Sequence, residues 1–597
     1  MGKFLRQLPY PLWIAVVMTV LVLLTLDAGG RGPAKYLDAP GATLDESFNI
    51  QQGYFLWAMA GEYGISIIDP RSVEEIFSHE LYLEDHPPLG RLWLGFVHQV
   101  LQSTLSSPQQ IDYTFGRAAS ALAYGFLILM CGAVASRWWG RSAGFLTALC
   151  IACMPRLFGH AHLGSLEMCV NVSYCAVVLF LAEYWVQRTS LPTQITPATV
   201  TTVSPSFWQR MQFGYFPVGM PIWVAFVAGV LWGMALLTKI QGVFVPFPII
   251  LYGLIVWRQR AILPLLIMGV TGLSVFFVSW PWLWLDPVPH LMQYFGRSVN
   301  RLVVHNYYLG HVYDDKQTPW HYPWVMFLLT TPLLLQAGGV WALIKNMRVE
   351  RRVLFLGLNV MLPLIFFSLP LAKYDGERLF QFVFPLWCML AGYGLAQIMA
   401  WGMARNSKLT IATYVVCFTS IFISSFVIHP CQINSYNVLG CLINQRVSKP
   451  NLEVSYWGDS LSASWMREAL AKVDHGSTVF VCPVMHQFQL PDLIKVHPEI
   501  QQKSLTLLAY GSPEWNQALA EVSSPEVPNT ASKKYLLTFQ RLADLPVSEL
   551  KHLDAQHRLE TLSLQIRSHV EMARLSRLHP SVSNPNTNTT ATSSSIP

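Results

Sequence analysis

The chain has 597 residues, of which 52% are hydrophobic and only 12% are Asp, Glu, Lys or Arg. Soluble domains carry about 25% charged residues, so this composition excludes a wholly soluble protein. The formal net charge of +6 is too small and too dispersed along the chain for a nucleic-acid binder.

A helix needs about 20 apolar residues to cross a bilayer. Such runs occur near 11–29, 117–136, 142–157, 168–186, 218–238, 241–257, 261–282, 322–344, 353–370, 379–400 and 410–428. The first follows Lys3 and Arg6 as a signal peptide would, but no small-residue cleavage site follows it and further spans do, so a retained helix is expected. The runs at 142–157 and 241–257 are short or interrupted. The expectation is a mainly α, polytopic membrane protein with about eleven transmembrane helices.

Between the runs, cations collect at Arg137/Arg141, Arg188 with Arg210, Arg258/Arg260, Lys345 to Arg352 and Arg405/Lys408. They share one face if the N-terminus is cytoplasmic, so the positive-inside rule sets that orientation. The long aromatic-rich loops at 30–116 and 283–321, and a shorter one at 371–378, then lie outside. An odd number of spans also puts the C-terminal region outside. The chain therefore divides into a transmembrane domain (1–429), a small extracytoplasmic α/β domain (430–579) and a disordered tail (580–597). Short apolar runs at Thr478–Cys482 and Tyr535–Phe539 are the expected strands of that domain. The Thr/Pro-rich segment 189–206 is expected to be a flexible cytoplasmic loop. No internal repeat of transporter length is evident, which counts against a secondary transporter.

Seven of the ten cysteines lie in apolar runs, where the thiol acts as a small buried hydrophobe. Cys431, Cys441 and Cys482 lie beyond the last run. Cys431 and Cys441 could pair in an oxidising compartment, and their spacing leaves that open. No spacing suggests structural zinc.

Ionisable groups at the ends of apolar helices are costly and need a reason. In the loops assigned outside they succeed one another as Asp45-Glu46, Glu84-Asp85-His86-Pro87-Pro88-Leu89-Gly90-Arg91, Arg117, Arg156 to His162, Glu167, Thr238-Lys239, a loop with His305, Tyr307, Tyr308 and His311, and Lys373-Tyr374-Asp375-Gly376-Glu377-Arg378. Each has a bland counterpart: a solvated helix end for Asp45-Glu46, a turn for His-Pro-Pro, a snorkelling side chain for Lys239, an interfacial belt for Trp280–Trp284.

Taken in order, the succession resembles the GT-C superfamily of membrane glycosyltransferases, in the family 39 branch of protein O-mannosyltransferases and bacterial lipid A aminoarabinose transferases. The resemblance covers roughly residues 10–400, and it departs at Glu167, where the family usually has Asp. Glu453-Val-Ser-Tyr-Trp-Gly-Asp-Ser460 also resembles a segment after the last span in some bacterial relatives. The resemblance implies a multi-pass protein of the bacterial inner membrane. It would transfer a sugar from a polyprenyl-phosphate donor to a protein, lipid or glycan hydroxyl at the outer face. Asp45 is the expected general base, with Glu46 and Glu167 as further catalytic acids. Lys239 and Arg378, then Arg91, Arg117 and His86, are the expected ligands of the lipid phosphate. Asp85 and His305, with Glu167, would place carboxylate and imidazole around a divalent metal, or else belong to an ion-pair network that orders the outer loops. A transporter or a non-catalytic scaffold remains the alternative. The first would spread its charges along the helices, and the second would tolerate any residue at 45 and 239.

Overall fold

A computed structural model describes residues 9–27, 38–105, 111–186, 222–299, 303–444, 450–521 and 533–579. The segment 189–206, the tail from 580, and Lys3, Arg6, Arg188 and Arg210 lie outside the described residues.

The first half of the chain forms α1 (Pro9–Leu23), α2 (Glu46–Tyr63), α3 (Pro70–Phe77), α4 (Pro88–Leu105), α5 (Tyr113–Trp139), α6 (Arg141–Ala152), α7 (Pro155–His160) and α8 (Glu167–Leu181). Then come α9 (Ile222–Thr238), α10 (Pro246–Trp257), α11 (Ile262–Val278), α12 (Pro287–Val299), α13 (Tyr322–Thr330), α14 (Leu333–Asn346), α15 (Arg351–Phe367), α16 (Val383–Met403) and α17 (Ser407–Val427). Five described segments are long and apolar enough to cross a membrane, beginning at Tyr113, Glu167, Ile240, Val383 and Ser407. A sixth is added if α13 and α14, bent by 115°, count as one. The chain is a multi-pass membrane protein, but by length and apolarity its described helices reach five or six crossings rather than about eleven. The reason is local. Gly140 and Pro155 bracket α6 into 12 residues, and Thr331-Pro332 separates α13 from α14.

Small residues let the helices approach. A Cβ on Gly53 of α2 would meet the Arg91 carbonyl oxygen of α4 at 2.1 Å, and one on Gly95 would meet that of Gly53 at 2.1 Å. This crossing sets the Asp45-Glu46 end of α2 against the first turn of α4. The central helices α5 and α16 are lined with buried apolar side chains, among them Tyr124, Leu127, Phe384 and Leu390. On α17 only Phe418 and Ser425 are buried, as suits a helix that faces lipid.

An antiparallel hairpin, β1 (His305–Tyr308) with β2 (His311–Asp314), projects from the second long loop. The C-terminal region forms β3 (Thr478–Cys482), β4 (Thr506–Ala509), β5 (Lys534–Phe539), β6 (Leu559–Arg567) and β7 (Val570–Leu578) in the order β4-β3-β5-β7-β6. The β4-β3-β5 part is parallel and β7 turns antiparallel. Side chains alternate between faces. Val479, Val481 and Leu537 join one core, while Phe480, Cys482 and Leu536 join another. Both faces are covered, which explains why β3 and β5 read as continuous apolar runs. Cys431 is buried, Cys441 exposed, and both are free thiols.

Candidate active site

Asp45 and Glu46 sit at the start of α2, where the positive end of the helix dipole favours them. They face different ways. Glu46 is fully buried. Its carboxylate accepts from Arg117 Nε and Nη2 at 2.7 Å each, from Gly164 N at 2.6 Å, and from Thr43 N and Oγ1 at 2.9 Å. Arg117 in turn donates to the carbonyls of Leu26, Pro40 and Gly41. This is a bidentate clamp with its donors used internally, which leaves Arg117 no N–H for a phosphate.

Asp45, with its side chain 23% exposed, pairs with Arg378 Nη2. Arg378 Nε donates to Glu167 Oε1 at 2.7 Å, and Lys239 Nζ reaches the same oxygen at 2.5 Å. Two cations and two carboxylates, separated by up to 333 residues in sequence, thus form one chain, Asp45–Arg378–Glu167–Lys239. Its members come from the N-terminus of α2, the N-terminus of α8, the residue after α9, and the 3₁₀ turn Arg378–Phe380. Glu167 Oε2 meets no hydrogen-bond partner among the described residues.

Arg378 belongs to a turn that is held tightly. Asp375 and Gly376 adopt left-handed backbone (φ 55° and 66°). Arg156 Nη1 donates to Glu377 Oε2 at 2.7 Å, Arg156 Nε donates to the Ser435 carbonyl at 2.9 Å, and the guanidinium lies over the Tyr436 and Tyr456 rings. The Arg378 guanidinium lies 4.1 Å from the centroid of the Trp457 ring.

The Glu84–Arg91 motif sits alongside. Arg91 is buried and donates to Asn49 Oδ1 (3.1 Å), the Leu83 carbonyl (2.7 Å) and Asp85 Oδ1 (2.7 Å). Burial pushes the His86 imidazole down to about 4, with Asp85 opposing and Arg91 and Lys239 adding to the shift. It is therefore neutral at pH 7, able to hydrogen-bond an anion but not to supply charge. His305 is half-exposed on β1, with Asp544 at 3.2 Å and Asp314 at 3.8 Å. No three His, Cys, Asp or Glu side chains gather as a metal site among the described residues, so Asp85, Glu167 and His305 do not converge.

Three residues have a place at the site that sequence reading gave no role. Arg156 and Asp375 stand in motifs already singled out. Arg541, paired with Asp375 Oδ1 at 2.9 Å, carries no signal in the sequence, because its partner is 166 positions away.

Fold and site together define a multi-pass membrane protein with a buried ionic centre at one end of its helices, closed over by a sheet domain. No family model matches the sequence, and no curated protein matches it. Among solved structures it is similar to ArnT from Cupriavidus metallidurans in the apo state (14% identity, 95% of this chain and 97% of that one, TM-score 0.47). The same protein bound to undecaprenyl phosphate gives 15% identity, 94% and 97% coverage and a TM-score of 0.43. The archaeal oligosaccharyltransferase AglB from Archaeoglobus fulgidus, in complex with an inhibitory peptide and a dolichol-phosphate, gives 9% identity, 95% and 74% coverage and a TM-score of 0.45.

Proposed function

We propose that the protein is a membrane glycosyltransferase that moves a sugar from a polyprenyl phosphate to an acceptor hydroxyl at the outer face, in the manner of family 39. The observation that carries this reading is the convergence of Lys239 and Arg378 on a single Glu167 oxygen, with Asp45 on the open side of Arg378. A transporter would distribute such charges along its helices, whereas these four stand at helix ends and in a turn. The eleven apolar runs of the sequence support about eleven crossings, with each shorter helix and the bent pair counted as one. The cation distribution supports a cytoplasmic N-terminus and an extracytoplasmic sheet domain.

The chemistry follows from the charges. The donor's phosphodiester at headgroup level draws Arg378 away from Asp45 and shares Arg378 and Lys239 with Glu167; when the sugar leaves it becomes a monoester with one more charged oxygen for the two cations. Arg378 turning to the phosphate releases Asp45, whose basicity rises as its cation leaves. The acceptor oxygen then bonds to the anomeric carbon and its proton passes to Asp45. The anomeric C–O bond breaks, and its electron pair leaves on the polyprenyl phosphate, where the two cations stabilise the charge. Glu167 holds the cations side by side, and Glu46 fixes the loop that carries Asp45.

The test is release of polyprenyl phosphate from a radiolabelled lipid-linked sugar by purified protein. Asp45→Asn keeps size and hydrogen bonding but removes the proton acceptor, so turnover should fall by roughly 10²–10⁴-fold with donor binding retained. Normal turnover by a stably folded Asp45→Asn protein removes this residue from the mechanism.

A further inference from the structure

The sheet domain reaches the ionic centre through one segment and one side chain. Trp457 lies in the stretch 453–460, between α17 and β3. Its Nε1–H donates to Asp375 Oδ2 at 2.9 Å, while its ring packs against the Arg378 guanidinium. Arg541, at the end of β5, donates from Nη1 to Asp375 Oδ1 at 2.9 Å and from Nε to Asp544 Oδ2 at 2.6 Å, and also to the Tyr456 carbonyl. Asp375 Oδ2 in turn accepts from Arg378 Nη1 at 3.2 Å.

The two pieces are tied to each other. The Glu453 carboxylate accepts from the backbone N–H of Leu542 (2.6 Å) and Ala543 (3.0 Å), and Ser455 N donates to the Gln540 carbonyl at 3.1 Å. Asp375 is thus gripped on both oxygens by the sheet domain, in a left-handed conformation that a non-glycine residue keeps only when its surroundings hold it there.

We infer that Trp457 and Arg541 are positioning residues for the candidate phosphate cation: through Asp375 and the Trp457 ring, the extramembrane domain sets where the Arg378 guanidinium stands. This rests on the function proposed above for Arg378. A bland reading, in which Arg541–Asp375 is only an interdomain tie, predicts a looser domain with an unchanged turn. Arg378 has its own tie to Glu167, so loss of Arg541 or Trp457 shifts its guanidinium without removing it.

The experiment uses the full chain in lipid nanodiscs, with Arg541→Gln, Arg541→Lys, Trp457→Phe and Trp457→Ala. Hydrogen exchange over residues 371–380 is measured together with binding and turnover of a polyprenyl-phosphate donor. Arg541→Gln and Trp457→Ala should speed exchange in that turn while α5 and α16 stay protected. They should lower kcat/KM for the donor by ~10–100-fold, the range expected when a contact group is displaced by about 1 Å. Arg541→Lys should recover much of both, and Trp457→Phe, which keeps the ring and loses the N–H, should fall between. Unchanged exchange over 371–380, or faster exchange there with wild-type donor kinetics, overturns the inference. A wild type that binds no polyprenyl phosphate overturns the functional reading instead, while the exchange data still decide whether the domain holds the turn.

Discussion

Asp45 and Glu46 are adjacent acids with opposite surroundings. Glu46 is buried against Arg117, which also has no exposure, and every contact of that pair is internal. Removing one partner of such a pair leaves a buried charge alone, at a cost of about 3–5 kcal/mol, whereas replacing both by apolar residues of similar volume is close to neutral. Arg117→Met should therefore lower the thermal stability of the detergent-solubilised protein markedly, and Arg117→Met combined with Glu46→Leu should recover part of it. Equal destabilisation by the single and double variants would show that the backbone contacts of Arg117, not the ion pair, hold the loop. The sequence marks both acids as site residues because they open the same loop. Which of them meets a buried arginine depends on the start of α2 and on Gly164 approaching from a distant turn, and neither is written in the local pattern. Arg117 illustrates the same point, since the family resemblance makes it a phosphate ligand and its partners use up its donors.

At the scale of elements, two of the five strands of the sheet domain, β3 and β5, are legible because they are short apolar runs flanked by polar residues, whereas β4, β6 and β7 mix polar and apolar residues and are not. The helix ends that carry Asp45, Arg91, Glu167 and Lys239 are legible because costly charges stand beside apolar runs. The domain's grip on Asp375 is not legible, since Trp457 and Arg541 meet it only after the sheet is assembled. One pH dependence belongs to this domain. His497, buried after α18 (Gln489–Val496), is pushed down to about 4 by burial, with Arg467 adding to the shift. An unfolded histidine titrates near ~6.5, so the unfolded state takes up the proton first. The stability is therefore fully present above ~6.5 and is lost as the pH falls towards about 4, a loss of roughly 3 kcal/mol for this residue. Thermal unfolding at pH 7.5 and 4.5 should show a smaller acid loss for His497→Gln than for wild type. Identical losses would mean that His497 is not buried in its neutral form.

Across the whole molecule, the multi-pass character follows from composition, while the number of crossings is harder to read. Hydropathy merges a broken helix with an intact one, as at α6–α7 and α13–α14, because glycine and proline end a helix without lowering the apolar content of the run. The convergence of the four charges was foreseeable only as a shared side of the membrane. Their order, with Glu167 between two cations and Asp45 outermost, is a product of α2, α8, α9 and the turn at 374–378 packing at one end. This end should receive a lipid phosphate, and a cryo-electron microscopy structure of the full chain in nanodiscs with polyprenyl phosphate tests that most directly. The phosphate should lie within hydrogen-bond reach, about 3 Å, of both Lys239 Nζ and the Arg378 guanidinium, with Asp45 released from Arg378 and facing the open side. A phosphate bound elsewhere, with the Asp45–Arg378 and Lys239–Glu167 pairs intact, would contradict it.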